Sequence, residues 1–447
     1  MRGVLLILLV ALPCAAAKDL AREVDALAQP VIGSGSVVGM TIGVIEARDK
    51  QPWVRGYGKV TVGEKDVPDQ DTVYEIGSIS KVFTGVLLAA LVQDGSVRLD
   101  QPLEQLLPDT VQVPAHGGRK ITLVDLSTHT SALPRMPSNF APKDPNNPYA
   151  DYTPALMYAF LSGCTLKRAP GLKSAYSNLG AGLLGHALAR KAGKSYEALL
   201  VERITEPLGM PSTRIVYTQD MRKRLAPPYR ANGVPSSTWD IPTLAGAGGI
   251  RSSVRDMLAF LQANLAEKDG GMHAALALAR KVHHKPGAPQ AQKLGLGWHI
   301  DPLGYRRHNG QTGGYHSFAA VDTQRGHALV ILSNTADGVI DSVGRRIMKL
   351  LRGEQPPREA QVDPKIYDAY AGAYALTPQF VLTVTREGDK LMVQATGQAK
   401  LQVFPESETS FFYKVVDARI TFHKQDGRVV ALTLHQHGRA MRAPRQP

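Results

Sequence analysis

Apolar and polar positions alternate along Val37–Glu46, the period-two signature of a strand. From Lys81 to Gln93 the pattern changes. Val82, Phe83, Leu87, Leu88, Leu91 and Val92 predict a helix, ended by Asp94-Gly95. Tyr196–Ile204, Val254–Leu265 and Met272–Val282 carry helical spacing as well. Leu303–Arg307, Tyr315–Val321 and Ala328–Ser333 read as strands, and Val339–Leu351 as a closing helix. First and last strands with helices between them predict an α+β (α/β) sandwich, an antiparallel sheet flanked by helices with an all-helical lobe beside it.

Beyond residue 360 the period shortens. Val381–Thr385, Lys390–Gln394, Leu401–Phe404, Ser410–Lys414, Arg419–Phe422 and Val429–His435 are short alternating runs punctuated by Gly388, Gly397, Asp417 and Gly427. Six or more strands about ten residues apart predict a small antiparallel barrel. A polar, proline-bearing stretch, Gly353–Ala360, reads as the linker before it. The expected division is therefore 18–353, a linker over 354–364, and an all-β unit over 365–447.

Composition narrows the setting. Arg2, the apolar run Val4–Leu12 and Ala15-Ala16-Ala17 form a secretory leader with cleavage near Ala17, so residues 1–17 are expected to be removed and the protein exported, periplasmic or secreted. Cys14 would allow a lipid-modified start, but Leu12 and Pro13 fit that poorly. Cys164 then stands alone and cannot form an internal disulfide; a buried small hydrophobe is its expected role. No metal site or cofactor is indicated. His283-His284 lacks ligand spacing, and Gly193-Lys194-Ser195 lacks the glycine that a phosphate loop needs, since position 188 is Leu188. The net charge of +13 is spread along the chain and accompanied by no nucleic-acid recognition motif. It suits peripheral association with an anionic cell wall or membrane face.

Three segments carry chemistry. Ser78-Ile79-Ser80-Lys81 opens the apolar helix, and its three-residue spacing puts amine and hydroxyl on one helical face. A serine needs a neighbour that takes its proton before it can attack. The first helical turn, with free N–H groups and positive dipole character, favours an amine that gives its proton up. Alone, the tetrapeptide describes a helix cap with a solvated lysine equally well. Tyr176-Ser177-Asn178 follows a Pro170-Gly171 turn and precedes a helical run. Beside cations a phenol can ionise and act as a base, and the Asn178 amide can hold Lys81 or a substrate amide. The third segment, His308-Asn309-Gly310-Gln311-Thr312-Gly313-Gly314, is placed between two strands, where its glycines admit a substrate backbone.

In this order the three segments resemble the serine β-lactamase/penicillin-binding-protein superfamily, whose S-x-x-K signature is well known. The nearest branch is that of class C β-lactamases, their D-amino-acid peptidases and family VIII esterases. Ile121–Pro134, Glu206–Met210, Gly248–Ser253 and Gly295–Trp298 resemble further stretches of that branch, and the likeness spans roughly residues 30–350. The Tyr370–Tyr374 segment is similar to the opening of the lipocalin-like domain appended to some D-aminopeptidases, for which structural support or restriction of substrates at the cleft is the expected role. The resemblance implies that Ser78 is acylated and that Lys81 and Tyr176 share the proton transfers. It also implies that Asn178 positions the substrate amide, and that the backbone N–H groups of Ser78 and Gln311, after Gly310, hold the oxyanion. One position departs from the pattern: His308 stands where most β-lactamases of the branch have lysine. A histidine titrating near pH 6.5 would be partly charged there. The implied function is a D-stereospecific peptidase acting on D-amino-acid or cell-wall stem peptides. Hydrolysis of β-lactams or simple esters is the close alternative, and a non-catalytic wall-fragment binder the remote one.

Overall fold

The computed structural model describes residues 20–48, 50–285, 292–355, 357–436 and 439–446; the segment expected to be a leader, residues 1–17 with Cys14 and Ala17, lies outside the described residues. Seven antiparallel strands form the central sheet. Their order is Trp53–Gly58, Gly39–Ile45, His327–Ser333, His316–Asp322, Arg306–Gln311, His299–Ile300, Lys293–Leu294. Side chains leave a strand alternately to its two faces, and here each face has its own core. Along His327–Ser333, Ala328, Val330 and Leu332 enter a large core shared with helices Ser80–Gln93, Asn178–Lys191 and Val254–Leu265. Leu329 and Ile331 enter a second core beneath Leu20–Gly33 and Val339–Leu351. Burial on both faces explains why Gly39–Ile45 is buried at every position.

Helix Val254–Leu265 and helix Val339–Leu351 match their expected bounds, while Met272–Val282 is realised as Gly271–Arg280. Tyr196–Leu200 is α-helical but passes into a π turn over Val201–Thr205. One expectation fails in a way that matters for function. The strand expected at Leu303–Arg307 runs instead over Arg306–Gln311. Asp301 and Gly304 close a turn first, with Gly304 N–H donating to the Asp301 carbonyl at 2.8 Å, and Gly304 itself adopts φ +92°. The third motif therefore lies inside a strand, pairing Gly310 with Ser317 and His308 with Ala319, rather than between two strands. Cys164, expected to be buried, is half-buried at the end of helix Pro154–Gly163.

The C-terminal part is an eight-stranded antiparallel sheet from Gly372–Thr377 to Arg439–Pro444, each strand paired with its sequence neighbour. It is nearly closed: Gln446 N–H donates to the Ala373 carbonyl at 2.8 Å, and Tyr374 bridges to Arg445. Tyr370, Tyr374, Phe411 and Phe422 fill its interior, with Tyr370 stacked on Phe422 at 4.2 Å between ring centroids. Its first and last strands fall outside the six alternating runs seen in the sequence. The barrel meets helix Val339–Leu351 through Lys349–Asp417 at 2.9 Å and through Arg346, which donates to the Lys414 carbonyl.

The Gly295–Trp298 segment packs against the turn that carries Lys81. Gly297 sits at φ +71°, and a Cβ there would come within 2.2 Å of the Lys81 carbonyl oxygen. Side chains are disfavoured both by that φ and by the contact. Gly297→Ala should therefore destabilise the protein by about 2–4 kcal/mol and displace Lys81. Thermal unfolding with an unchanged midpoint would refute this packing role.

Candidate active site

Ser78 sits in a single 3₁₀ turn, Gly77–Ile79, that runs directly into helix Ser80–Gln93. Gly77 adopts φ +49°, and a Cβ on it would lie 2.7 Å from the Gln311 backbone nitrogen. A Cβ on Gly310 would in turn lie 2.8 Å from the Ser78 backbone nitrogen. Two glycines thus let the third-motif strand approach the serine turn closely enough to bring the backbone of Gln311 beside that of Ser78. The approach is locked by Ser317 Oγ, which donates to the Ile76 carbonyl at 2.8 Å, while Ile250 N–H, donating to Ser80 Oγ at 3.0 Å, holds the start of the helix.

Lys81 is buried, with three polar contacts. Its Nζ lies 3.0 Å from Ser78 Oγ, 2.9 Å from Asn178 Oδ1 and 2.6 Å from the Ala247 carbonyl oxygen. None of the three is a carboxylate. Burial, reinforced by the positive charge of Arg135, holds the amine well below the usual lysine range. In the neutral form its two N–H bonds match the two obligate acceptors, Asn178 Oδ1 and Ala247 O, and its lone pair is left for the Ser78 hydroxyl. That arrangement can supply a base already hydrogen-bonded to a nucleophile.

Tyr176 flanks the pair, with Lys81 Nζ 4.8 Å and the Arg135 guanidinium 5.0 Å from its ring centroid. The expected phenolate is not what this environment makes. Burial pushes the Tyr176 hydroxyl up to about 12, against the opposing pull of a hydrogen bond with Ser78 and of the Arg135 charge. Desolvation is the largest influence and outweighs the Arg135 charge. The tyrosine is thus a neutral phenol near neutral pH, able to pass a proton on. Its loop is held by the Ile121–Pro134 stretch: Ala175 N–H donates to the His129 carbonyl at 2.8 Å, Ser177 N–H to His129 Nδ1 at 3.2 Å, and Ser177 Oγ to the Pro134 carbonyl at 2.6 Å. Ser177 also caps helix Asn178–Lys191, which fixes Asn178 in the first turn.

His308 needs a second correction. It is 1% exposed, and desolvation foremost, then the neighbouring His299 and Lys81, hold its pKa well below the ordinary histidine value. It is uncharged at neutral pH, so the titration expected of it around pH 6–7 does not belong to it. Its Nδ1 lies 2.6 Å from the Asn309 carbonyl, which can only accept, so the ring proton sits on Nδ1 and Nε2 is a bare acceptor with no partner among the described residues.

The crevice, about 590 Å³, is lined by Ser78, Tyr176, Asn178, Asn309, Gly310 and Gln311, all of them within the three motifs. Its other walls carried no motif in the sequence: Arg135, Tyr149, Trp239, His299 and Arg307. Trp239 is placed by Glu75, whose carboxylate accepts its N–H at 2.8 Å, and by the buried Arg251 of the Gly248–Ser253 stretch, which binds the Trp239 carbonyl. The Ala247 carbonyl could not have been found, because a backbone acceptor has no residue signature. The signal for His299 was its place directly after the Gly295–Trp298 stretch; burial pushes it down to about 4.

Comparison with known proteins shows the family. Residues 24–352 match the beta-lactamase family model, and residues 356–443 match a domain of unknown function. The chain is 32% identical over 344 residues to the D-alanyl-D-alanine-carboxypeptidase/endopeptidase AmpH of Escherichia coli (strain K12), covering 72% of this chain and 88% of that protein. A beta-lactamase/D-alanine carboxypeptidase from Yersinia pestis, solved with citrate, is similar at 29% identity and a TM-score of 0.66, covering 74% of this chain and 98% of that one. The octameric penicillin-binding protein homologue from Pyrococcus abyssi shares the fold over 95% of this chain and 99% of its own, with a TM-score of 0.68 at 23% identity.

The lowered Lys81 value sets a sign for pH dependence. Acylation needs the amine without its proton, so its rate should rise as pH passes upward through a midpoint well below the ordinary lysine value of about 10.4. It should not fall again until the phenol ionises near 12. Arg135→Gln removes a charge that disfavours the ammonium, so it should move the rising limb to higher pH. A limb that stays in place in that variant, read from single-turnover acylation, would show that Lys81 is not the titrating group.

Proposed function

The chain belongs to the beta-lactamase family of serine hydrolases, and from that premise we propose that it is a D-stereospecific peptidase of the D-alanyl-D-alanine carboxypeptidase/endopeptidase type. The single observation that carries the reading is the 3.0 Å contact between a desolvated Lys81 amine and the Ser78 hydroxyl at the floor of an open crevice. In the proposed reaction Ser78 Oγ attacks the peptide carbonyl while its proton passes to Lys81 Nζ. The amides of Ser78 and Gln311 stabilise the oxyanion; removing one such donor costs about 3–4 kcal/mol of barrier in other serine hydrolases. The C–N bond breaks as the leaving amine takes a proton from the Tyr176 hydroxyl, which Lys81 replenishes. Water then attacks the Ser78 ester along the reverse path, giving up its proton to the same relay and restoring the free serine. Asn178 holds Lys81 and the substrate amide; His308 and Gly310 shape the strand along which the peptide lies.

The likeness to a carboxypeptidase/endopeptidase over 88% of that protein's length supports peptides over β-lactams. So does the uncharged His308, which replaces the cation expected of an efficient β-lactamase of this branch. The Arg2–Ala17 leader supports action outside the cytoplasm.

Release of D-alanine from a D-alanyl-D-alanine peptide should exceed hydrolysis of nitrocefin and p-nitrophenyl butyrate in kcat/KM. Ser78→Ala should lower it at least about 10³-fold and abolish covalent labelling by a fluorescent penicillin. Faster turnover of nitrocefin or the butyrate would replace the peptidase reading, and an unlabelled wild type would remove the acyl-enzyme.

A further inference from the structure

In a crevice proposed to take a peptide ending in a carboxylate, some cation must balance that charge, and the third motif supplies none: its lining residues Asn309, Gly310, Gln311 and Thr312 are all uncharged. His308 is neutral, its only ring proton is engaged by the Asn309 carbonyl, and what remains is a lone pair, which repels an anion. Asn309 is engaged too, its Nδ2 donating to Asp341 Oδ2 at 2.8 Å. The crevice nevertheless has a cationic wall. No Asp or Glu is among its described lining residues, whereas Arg135 and Arg307 both are.

The two arginines differ. Arg307 is committed to Asp301, Nε to Oδ2, at 3.3 Å. The Arg135 guanidinium makes no ion pair or hydrogen bond among the described residues. It is exposed, and it lies over the Tyr176 ring at 5.0 Å from the centroid. Its backbone is nonetheless fixed to the site: the Arg135 carbonyl accepts from Asn178 N–H at 3.0 Å and from Leu179 N–H at 3.2 Å. Apart from the Tyr176 ring, the guanidinium has no hydrogen-bonding or ion-pair partner among the described residues, and it presents a planar fork, the geometry that binds a carboxylate with two parallel hydrogen bonds.

We propose that Arg135 is the specificity-determining anchor for the substrate's carboxylate, taking over the task that a third-motif lysine would otherwise perform. The inference rests on the acyl-enzyme reading above but not on the identity of the peptide. It predicts a preference for acyl donors whose leaving group carries a carboxylate, whether that group is a D-amino acid or another anion.

The test compares a 3-acyloxybenzoate ester with its neutral phenyl analogue, both of which acylate the serine and differ only in the leaving group's charge. Wild type should favour the anionic ester. In Arg135→Gln the ratio of kcat/KM for the two esters should fall about 10–100-fold, mostly through KM, and Arg135→Lys should restore part of it. Taking the ratio cancels the shift of the Lys81 limb, which both esters share. A ratio unchanged within about twofold, or a wild type with no preference for the anionic ester, overturns the proposal. Failure to release D-alanine from any peptide would instead remove the peptidase reading while leaving this comparison decisive for Arg135.

Discussion

The desolvation of one amine is the constraint on which the site depends. Lys81 is shut away from water on the wall of the largest core, where its hydrogen-bond partners among the described residues are two carbonyl-type acceptors and a hydroxyl, with no carboxylate. A carboxylate in that cage would have held the proton on the amine. Two acceptors and one hydroxyl fit an uncharged amine instead. Each member comes from a different part of the chain: Ser78 from the 3₁₀ turn, Asn178 from a capped helix start, Ala247 from the short helix Ala245–Gly248. The cage exists only when these elements are packed together, so the basicity of Lys81 is a property of the fold rather than of the tetrapeptide.

The same desolvation accounts for what could and could not be read in the sequence. Ser78, Lys81, Tyr176 and Asn178 were legible because their chemistry depends on residue type and short spacing. Their protonation was not. Tyr176 beside two cations suggested a phenolate, and His308 suggested a half-charged ring, since an isolated sequence assigns solution pKa values. In the fold, burial lowers the Lys81 and His308 pKa values and outweighs the Arg135 charge at Tyr176. The architecture was legible where periodicity was strong, as in Val254–Leu265 and Val339–Leu351. It failed at Leu303–Arg307, where a turn closed by Asp301 and Gly304 moved the strand forward onto the motif. Arg135 gave no signal because an arginine next to a proline has no motif; only its position over Tyr176 distinguishes it.

A neutral third motif reorganises the electrostatics of the crevice. A lysine at position 308 would place a second ammonium near Lys81 and compete with it for the same proton. A buried, uncharged imidazole removes that competition and leaves positive charge only at the rim, on Arg135 and Arg307. There the field still depresses the Lys81 pKa, since Arg135 is its largest charged influence. One guanidinium can therefore both recognise an anionic substrate and keep the base unprotonated, and binding of a carboxylate would weaken the second effect as it fulfils the first.

The position of the barrel follows from the layering. The described residues that line the crevice fall between Ser78 and Thr312. The barrel instead docks on helix Val339–Leu351, across the sheet from helix Ser80–Gln93. That placement disfavours a substrate-restricting role at the cleft and favours support. The helix provides the route. Its first turn carries Asp341, which binds Asn309 of the third-motif strand at 2.8 Å and His316 of the neighbouring strand at 3.0 Å. Its later turns carry Arg346 and Lys349, which hold the barrel. A barrel that fixes this helix also fixes the strand bearing Gln311, and the proposed oxyanion site, formed by two backbone amides, would tolerate little movement of either one.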